Sequence, residues 1–256
     1  MWPGRGRTAL RVRVLLAAVN VAAGALCWPA VASAGTVPAS PLRSQAWAGY
    51  QAGGQTFRYV AASWTVPAIS CRGVTRRGDP DSYFWAGFGP GSPDSERVGV
   101  RELCTGILAA YVGYIEMNGE YEVQSVDPAP GDKVSASVYF AAGKYRFSLT
   151  DATQRKSFAL RYSCGAFSFG QGTCRRSTAE VIAGIWAPGR SPLADYHKIT
   201  FRDIAITDAR GQRGSFARNR HWKMTRISEY DGSGLAAFAV PLSSGGTRFA
   251  DLWRHL

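Results

Sequence analysis

The stretch KVSASVYFAAGKYRFSLT, Lys133–Thr150, decides the fold. Lys133–Phe140 and Tyr145–Thr150 are short runs rich in β-branched and aromatic residues, and the glycine-bearing turn Ala141–Lys144 lies between them. The segment therefore reads as a β-hairpin, and Ser157–Ser163 can add a third strand. The same texture continues outward. TFRYVAASWTVP (Thr56–Pro67), SYFWAGFG (Ser82–Gly89) and LAAYVGYIEM (Leu108–Met117) precede the hairpin. Thr178–Trp186, Lys198–Thr207, His221–Tyr230 and Leu235–Val240 follow it, and Asp231-Gly232-Ser233-Gly234 is a hairpin turn between the last two. No long stretch carries the 3.6-residue period of an amphipathic helix. Many short strands separated by turn signals predict an all-β protein, a sandwich or a barrel.

The composition agrees. Of 256 residues, 46% are hydrophobic and 19% charged, which allows a sizeable core and excludes wholesale disorder. Arg5, Arg7, Arg11 and Arg13 precede the apolar run Val14–Leu26, and Ala32-Ser33-Ala34 follows with the small residues of a signal-peptidase site. Residues 1–34 are thus expected to be a secretory signal peptide and residues 35–45 a short leader. Residues 46–256 are expected to form a single domain, since no repeat or linker divides them. Cys27 falls inside the signal, and the bulky Leu26 before it argues against a lipoprotein anchor. Cys71, Cys104, Cys164 and Cys174 remain, an even number that reads as two disulfides in a secreted chain, with three possible pairings. Cys164 and Cys174 flank a Gly-rich loop and are paired locally, which leaves Cys71 with Cys104.

The net charge is +12. The clusters Arg76-Arg77, Arg175-Arg176 and Arg218–Arg226 could attach weakly to an anionic cell-surface polymer, although a solvated basic face explains them better. Nucleic acid is not expected for a secreted chain without a binding module. Three histidines and no CxxC argue against a metal, and no cofactor is expected. None of His197, His221 and His255 lies near a nucleophile motif, and nothing resembles G-x-S-x-G. Carboxylate chemistry remains, and the chain has few glutamates. Glu180 in TAEVIAGIW shares a strand face with Ile182 and Trp186, so desolvation raises its pKa and makes it a candidate acid or base. Glu116 in YVGYIEM is similar, beside Val112 and Tyr114.

Five segments in order resemble the glutamic peptidases, or eqolisins. AWAGY (Ala46–Tyr50) is similar to the family's N-W-A-G-Y, and ASWTVP (Ala62–Pro67) to G-x-W-x-V-P. FWAGFG (Phe84–Gly89) is similar to W-V-G-I-D-G, and YVGYIEM (Tyr111–Met117) to Y-x-A-W-Y-E-x-Y. AEVIAG (Ala179–Gly184) with PLADYHKITF (Pro192–Phe201) resembles A-E-W-I-V-E followed by P-L-A-D-F-G-x-V-T-F. The resemblance implies a concanavalin-like β-sandwich of two antiparallel sheets. It also implies a secreted, acid-active endopeptidase that works without a metal; the expected partner is a protein or peptide substrate, and the chain is expected to be a monomer.

That family works with a Glu as general base and a Gln as oxyanion donor. Glu180 falls on the Glu, but Arg97 stands at the Gln position. Gly89 and Arg101 replace two acids of the family pattern. Trp85, Tyr114, Glu116 and Asp195 keep family-like identities, and the first three are candidates for substrate binding; Trp85 reads equally as core and Asp195 as a turn cap. Arg97 could donate to an oxyanion with a full charge. It is expected to face Glu180, with Gly99 leaving room for its side chain to fold over. Its charge is expected to outweigh partial desolvation and lower the Glu180 pKa. The rival reading is a secreted, catalytically inactive β-sandwich that binds peptide or polysaccharide, because fold alone does not choose between activities.

Secreted material should begin near Gly35 and carry no free thiol. N-terminal sequencing and intact-mass analysis after alkylation check this, and four alkylated cysteines would contradict it.

Overall fold

The Lys133–Thr150 hairpin is tighter than its sequence suggests. Ala141 pairs with Lys144, so the turn is only Ala142-Gly143, with φ of 49° and 73°. Two central residues with positive φ match the twist of the flanking strands. The computed structural model describes residues 40–71, 78–89, 95–166, 174–186, 188–189, 191–217 and 220–254. The expected signal peptide, the first residues of the leader, Arg76, Arg77, Arg218 and His255 lie outside the described residues.

Among the described residues the chain forms strands and no helix. In order these are β1 (Leu42–Ser44), β2 (Trp47–Gly53), β3 (Phe57–Thr65), β4 (Asp81–Phe88), β5 (Glu96–Thr105), β6 (Leu108–Met117), β7 (Glu120–Val123) and β8 (Lys133–Ala141). β9 (Lys144–Asp151), β10 (Lys156–Ser163), β11 (Thr178–Gly184), β12 (Lys198–Asp208), β13 (Arg213–Gly214), β14 (Lys223–Asp231), β15 (Gly234–Ala239) and β16 (Phe249–Trp253) follow. Their order in space is β10-β9-β8-β3-β12-β16-β15-β14-β2-β11-β4-β5-β6-β7, with β13 beside β12 and β1 beside β14. Every pairing is antiparallel except β1 with β14.

This continuous path doubles back on itself at β12. Lys198–Phe201 pairs with β16, whereas Arg202–Asp208 pairs with β3. Pairing slips between Arg202 and Ala205, where Asp203 takes a φ of 52° and accepts a hydrogen bond from Ser63 Oγ. A bulge of this kind bends a strand enough for it to serve two layers. The expected two-sheet sandwich is therefore present, with one strand shared between the sheets.

The layers meet through alternate residues. Val60, Ala62 and Trp64 of β3 face inward with Val134, Ala136 and Val138 of β8. Opposite them lie Phe84, Ala86 and Phe88 of β4 and Val181 of β11. Each large apolar side chain buried here contributes about 1.5–3 kcal/mol. The other face of β4, β5 and β11 is free to hold polar groups. Disulfides join Cys71 to Cys104 and Cys164 to Cys174, with Cα atoms 5.5 and 5.9 Å apart. Leu42–Ser44 was expected as leader but forms β1, because β14 offers it a backbone edge.

Several carboxyls are buried away from any cation. Glu102 is fully buried, and neither of its oxygens has a hydrogen-bond partner among the described residues. Burial pushes its pKa well above the glutamate value, and burial together with the Asp251 charge does the same to Glu229. Burial raises Asp251 to about 7, although it accepts a 2.6 Å bond from Tyr196 Oη.

A carboxyl whose folded pKa lies above its unfolded value holds its proton more tightly in the folded state, so stability is lost as pH rises between the two. The melting temperature should therefore be highest near pH 4 and fall toward pH 8. Asp251 alone accounts for at most about 4 kcal/mol of that loss. Asp251→Asn should flatten the slope in thermal melts, and a melting temperature that rises with pH would contradict the account.

Candidate active site

Glu180 lies at the centre of β11, hydrogen-bonded on both sides to neighbouring strands. Its cross-strand neighbours are Gln51 on β2 and Gly87 on β4. Gly87 pairs in turn with Arg97 on β5, Arg97 with Glu116 on β6, and Glu116 with Tyr121 on β7. Residues directly opposite one another share a face. Glu180, Arg97 and Glu116 therefore form one transverse row on the face turned away from the inter-sheet core.

Glu180 and Arg97 sit two strands apart, roughly 10 Å between backbones. Gly87 makes the direct bond possible. A Cβ at Gly87 would lie 2.6 Å from the Glu96 carbonyl oxygen and 2.8 Å from Arg97 Cγ. With no side chain there, the Arg97 chain lies flat across β4 and reaches Glu180. Gly99, expected to provide this room, does something else. A Cβ there would strike the Phe84 carbonyl, so Gly99 permits close approach of the β4 backbone.

Arg97 Nε donates to Glu180 Oε1 at 2.9 Å, and Arg97 Nη1 donates to Glu116 Oε2 at 3.2 Å. Trp85 Nε1 donates to the same Glu180 Oε1 at 2.9 Å. Ser95 Oγ donates to Glu116 Oε1. The guanidinium lies 4.7 Å from the ring centroids of both Trp47 and Trp85. Glu180, Arg97 and Glu116 are only 0, 3 and 5% exposed. Two buried polar atoms of this row have no hydrogen-bond partner among the described residues: Glu180 Oε2 and Arg97 Nη2.

Burial pushes the Glu180 carboxyl above the ordinary glutamate value; the Arg97 charge and the bonds from Trp85 and Arg97 bring it only part of the way back. The expectation that the Arg97 charge would win is thus corrected, because Glu180 is wholly rather than partly desolvated. Burial also works against the charge on Arg97, but Glu116 and Glu180 outweigh it and its pKa is raised.

The five candidate residues come together. Trp85 fixes Glu180, and Tyr114 lies in the next row, its ring stacked on Tyr121 at 5.1 Å. Both are buried, so neither offers open surface in the free chain. Asp195 lies apart and caps a turn, accepting the backbone N–H of His197 at 2.9 Å. Sequence reasoning did not single out Trp47, Gly87 or Ser95, although Trp47 and Gly87 stand inside quoted segments. A second pair, Arg101 Nη2 to Asp81 Oδ2 at 3.1 Å, lies further along the same face, with Tyr83, Tyr121 and Trp186 beside it. Among the described residues no cluster of His, Cys, Asp and Glu could hold a metal ion.

A carboxyl raised by burial, held by one indole donor and one guanidinium, is suited to proton transfer. Comparisons with known proteins bear on the family. Solved structures share the fold. A scytalidoglutamic peptidase with a transition-state analogue inhibitor has a TM-score of 0.65 at 16% identity, covering 82% of this chain and 99% of that one. SCP-B, a member of the eqolisin family in complex with the tripeptide Ala-Ile-His, has 0.65 at 18% over the same shares. Aspergilloglutamic peptidase from Aspergillus niger has 0.57 at 15%, covering 68% and 99%. No curated protein sequence matches the chain. The model of the Peptidase A4 family matches residues 45–236, most of the chain. The protein belongs to the Peptidase A4 family.

Proposed function

We propose that the chain is a secreted glutamic-type endopeptidase in which Glu180 is the general base and Arg97 replaces the usual amide as oxyanion donor. The observation that carries this reading is the pair of unpartnered atoms in the buried row, the acceptor Glu180 Oε2 and the donor Arg97 Nη2. Hydrolysis of an amide needs one of each: an acceptor for the proton of the attacking water, and a donor for the carbonyl oxygen as it gains charge.

In this mechanism Glu180 Oε2 takes a proton from water as the water oxygen bonds to the carbonyl carbon. Arg97 Nη2 donates to the resulting oxyanion. The protonated Glu180 then gives its proton to the nitrogen as the C–N bond breaks, leaving an acid and an amine. Glu116 and Ser95 hold the far side of the guanidinium, and Trp85 holds the other Glu180 oxygen. The two disulfides and the signal-like N-terminus support an extracellular setting.

One observation favours the rival reading, an inactive peptide-binding module. In the free chain the two unpartnered atoms are sealed from solvent, and the Arg97–Glu180 bond spans the space a water would use. Cleavage of a denatured protein between pH 2 and 8 separates the two readings.

Glu180→Gln keeps the volume and removes the titrating group, so it should lower kcat by at least about 10²-fold while leaving the fold intact. Residual activity within a factor of about ten would exclude the role. Arg97→Gln removes the charge that partly lowers the Glu180 pKa, so the acidic limb of the pH profile should move upward. If the wild type is silent, Arg97→Gln should create activity by opening the water site. An unchanged pH profile in an active variant would contradict the account.

A further inference from the structure

The second face of the molecule carries a feature that peptide hydrolysis does not use. On the outer side of the sheet formed by β3, β8, β9, β10 and β12, the pairing register lines up one transverse row. Arg213 on β13 pairs with Thr207, Thr207 with Tyr59, Tyr59 with Tyr139, Tyr139 with Arg146, and Arg146 with Arg161. These residues alternate along their strands with inward-facing Val60, Val138, Phe147 and Ile206, so the row points outward, with Thr207 covered between its neighbours. It spans five strand spacings, roughly 24 Å.

The chemistry of the row is consistent from end to end. Two tyrosines sit at its middle, edge to face with ring centroids 6.4 Å apart, and Tyr139 is 40% exposed. Arginines stand on both sides, and Arg146, Arg161 and Arg213 are all exposed. Among the described residues no carboxylate forms an ion pair with any of them. Tyr59, Tyr139, Arg58 and Arg213 line a shallow cavity of about 430 Å³. The next row, Ala205, Ala61, Ser137, Ser148 and Ala159, holds only small residues, which leaves a trough beside the aromatic row. Arg176, in a cluster the sequence reading considered for polymer attachment, is used internally: its Nε donates to the Phe57 carbonyl at 2.8 Å, and its guanidinium lies 3.5 Å from the Phe140 ring centroid.

We infer that this row binds a linear anionic glycan, a sugar polymer bearing carboxylate or phosphate groups along its length. The tyrosine rings offer flat apolar surface to sugar rings, and a guanidinium fork matches carboxylate and phosphate alike. Fixed positive charge at both ends of an aromatic platform suits an extended polymer laid across the strands better than a compact anion. The two disulfides point to the same extracellular setting, where such polymers occur. The site lies on the sheet opposite the Glu180 row, so it can hold the protein on a polymer without occupying that row.

Binding of the folded chain to polygalacturonate, to poly(glycerol phosphate), to neutral dextran and to poly(U) tests the inference. The wild type should bind one or both acidic glycans at low salt, lose affinity steeply as salt rises, and ignore dextran. Preference between the two glycans identifies the acidic group. The triple variant R146Q/R161Q/R213Q should bind at least about tenfold more weakly with a shallower salt dependence. Tyr139→Ala should weaken binding severalfold and leave the salt dependence unchanged. The control triple K156Q/K198Q/K223Q removes equal charge from outside the row and its trough and should retain binding, and all variants should keep the wild-type melting curve. Equal affinity for dextran, equal loss in the control triple, or tighter binding of poly(U) than of either glycan would overturn the inference.

Discussion

The buried contact between Arg97 and Glu180 is the constraint around which the site is arranged. A guanidinium taken out of water is costly unless its donors are used, and a lone buried carboxylate is costlier still. The fold meets this by placing two carboxyls, Glu180 and Glu116, on either side of one cation in a single transverse row. Each surrounding detail serves that row. Gly87 has no side chain because the Arg97 stem lies across it. Trp85 and Ser95 each give one further donor to a carboxyl, and two indoles lie beside the guanidinium. Removing Arg97 would leave both buried carboxyls without their cation, which is the expensive way to break such an arrangement, whereas removing either carboxyl leaves Arg97 paired with the other.

The same triad sets the proton affinity of Glu180, on which its proposed role as base rests. Burial alone would hold it protonated, and an ion pair in water would make it too weak. Full burial beside a shared cation gives an intermediate result, a raised pKa that Arg97 moderates. The rest of the molecule tolerates protonated carboxyls too, since Glu102, Glu229 and Asp251 are all buried with raised pKa. A protein built this way is suited to acid, because rising pH forces charge into its interior.

The strands that were legible in the sequence are those with apolar or aromatic texture, such as Lys133–Ala141 and Asp81–Phe88. β5 gave no such pattern. Its Glu96, Arg97, Arg101 and Glu102 carry no apolar signal, and only the family resemblance placed Arg97, yet Glu96, Arg97 and Glu102 are buried. Buried ion pairs and protonated carboxyls look the same as solvated charges in a sequence, so the strand that supplies Arg97 was the hardest to see. β1 and β16 were hidden for another reason: they are short, and pairing with β14 in one case and with β12 and β15 in the other holds them as strands. Glu180 was legible because a carboxylate inside an apolar run is unusual. Gly87 was not, since its role depends on which side chain crosses it two strands from Glu180. The Arg–Tyr row of the outer face likewise depends on register across six strands, which no local pattern encodes.

The central claim is that Arg97 sets the proton affinity of Glu180 against the effect of burial. Carbon-13 NMR titration of the Glu180 side-chain carboxyl, in the wild type and in Arg97→Gln, reads that affinity without requiring turnover. The account predicts a wild-type midpoint above the ordinary glutamate value and a higher one in the variant. A midpoint that stays in place or falls when the guanidinium is removed would contradict it.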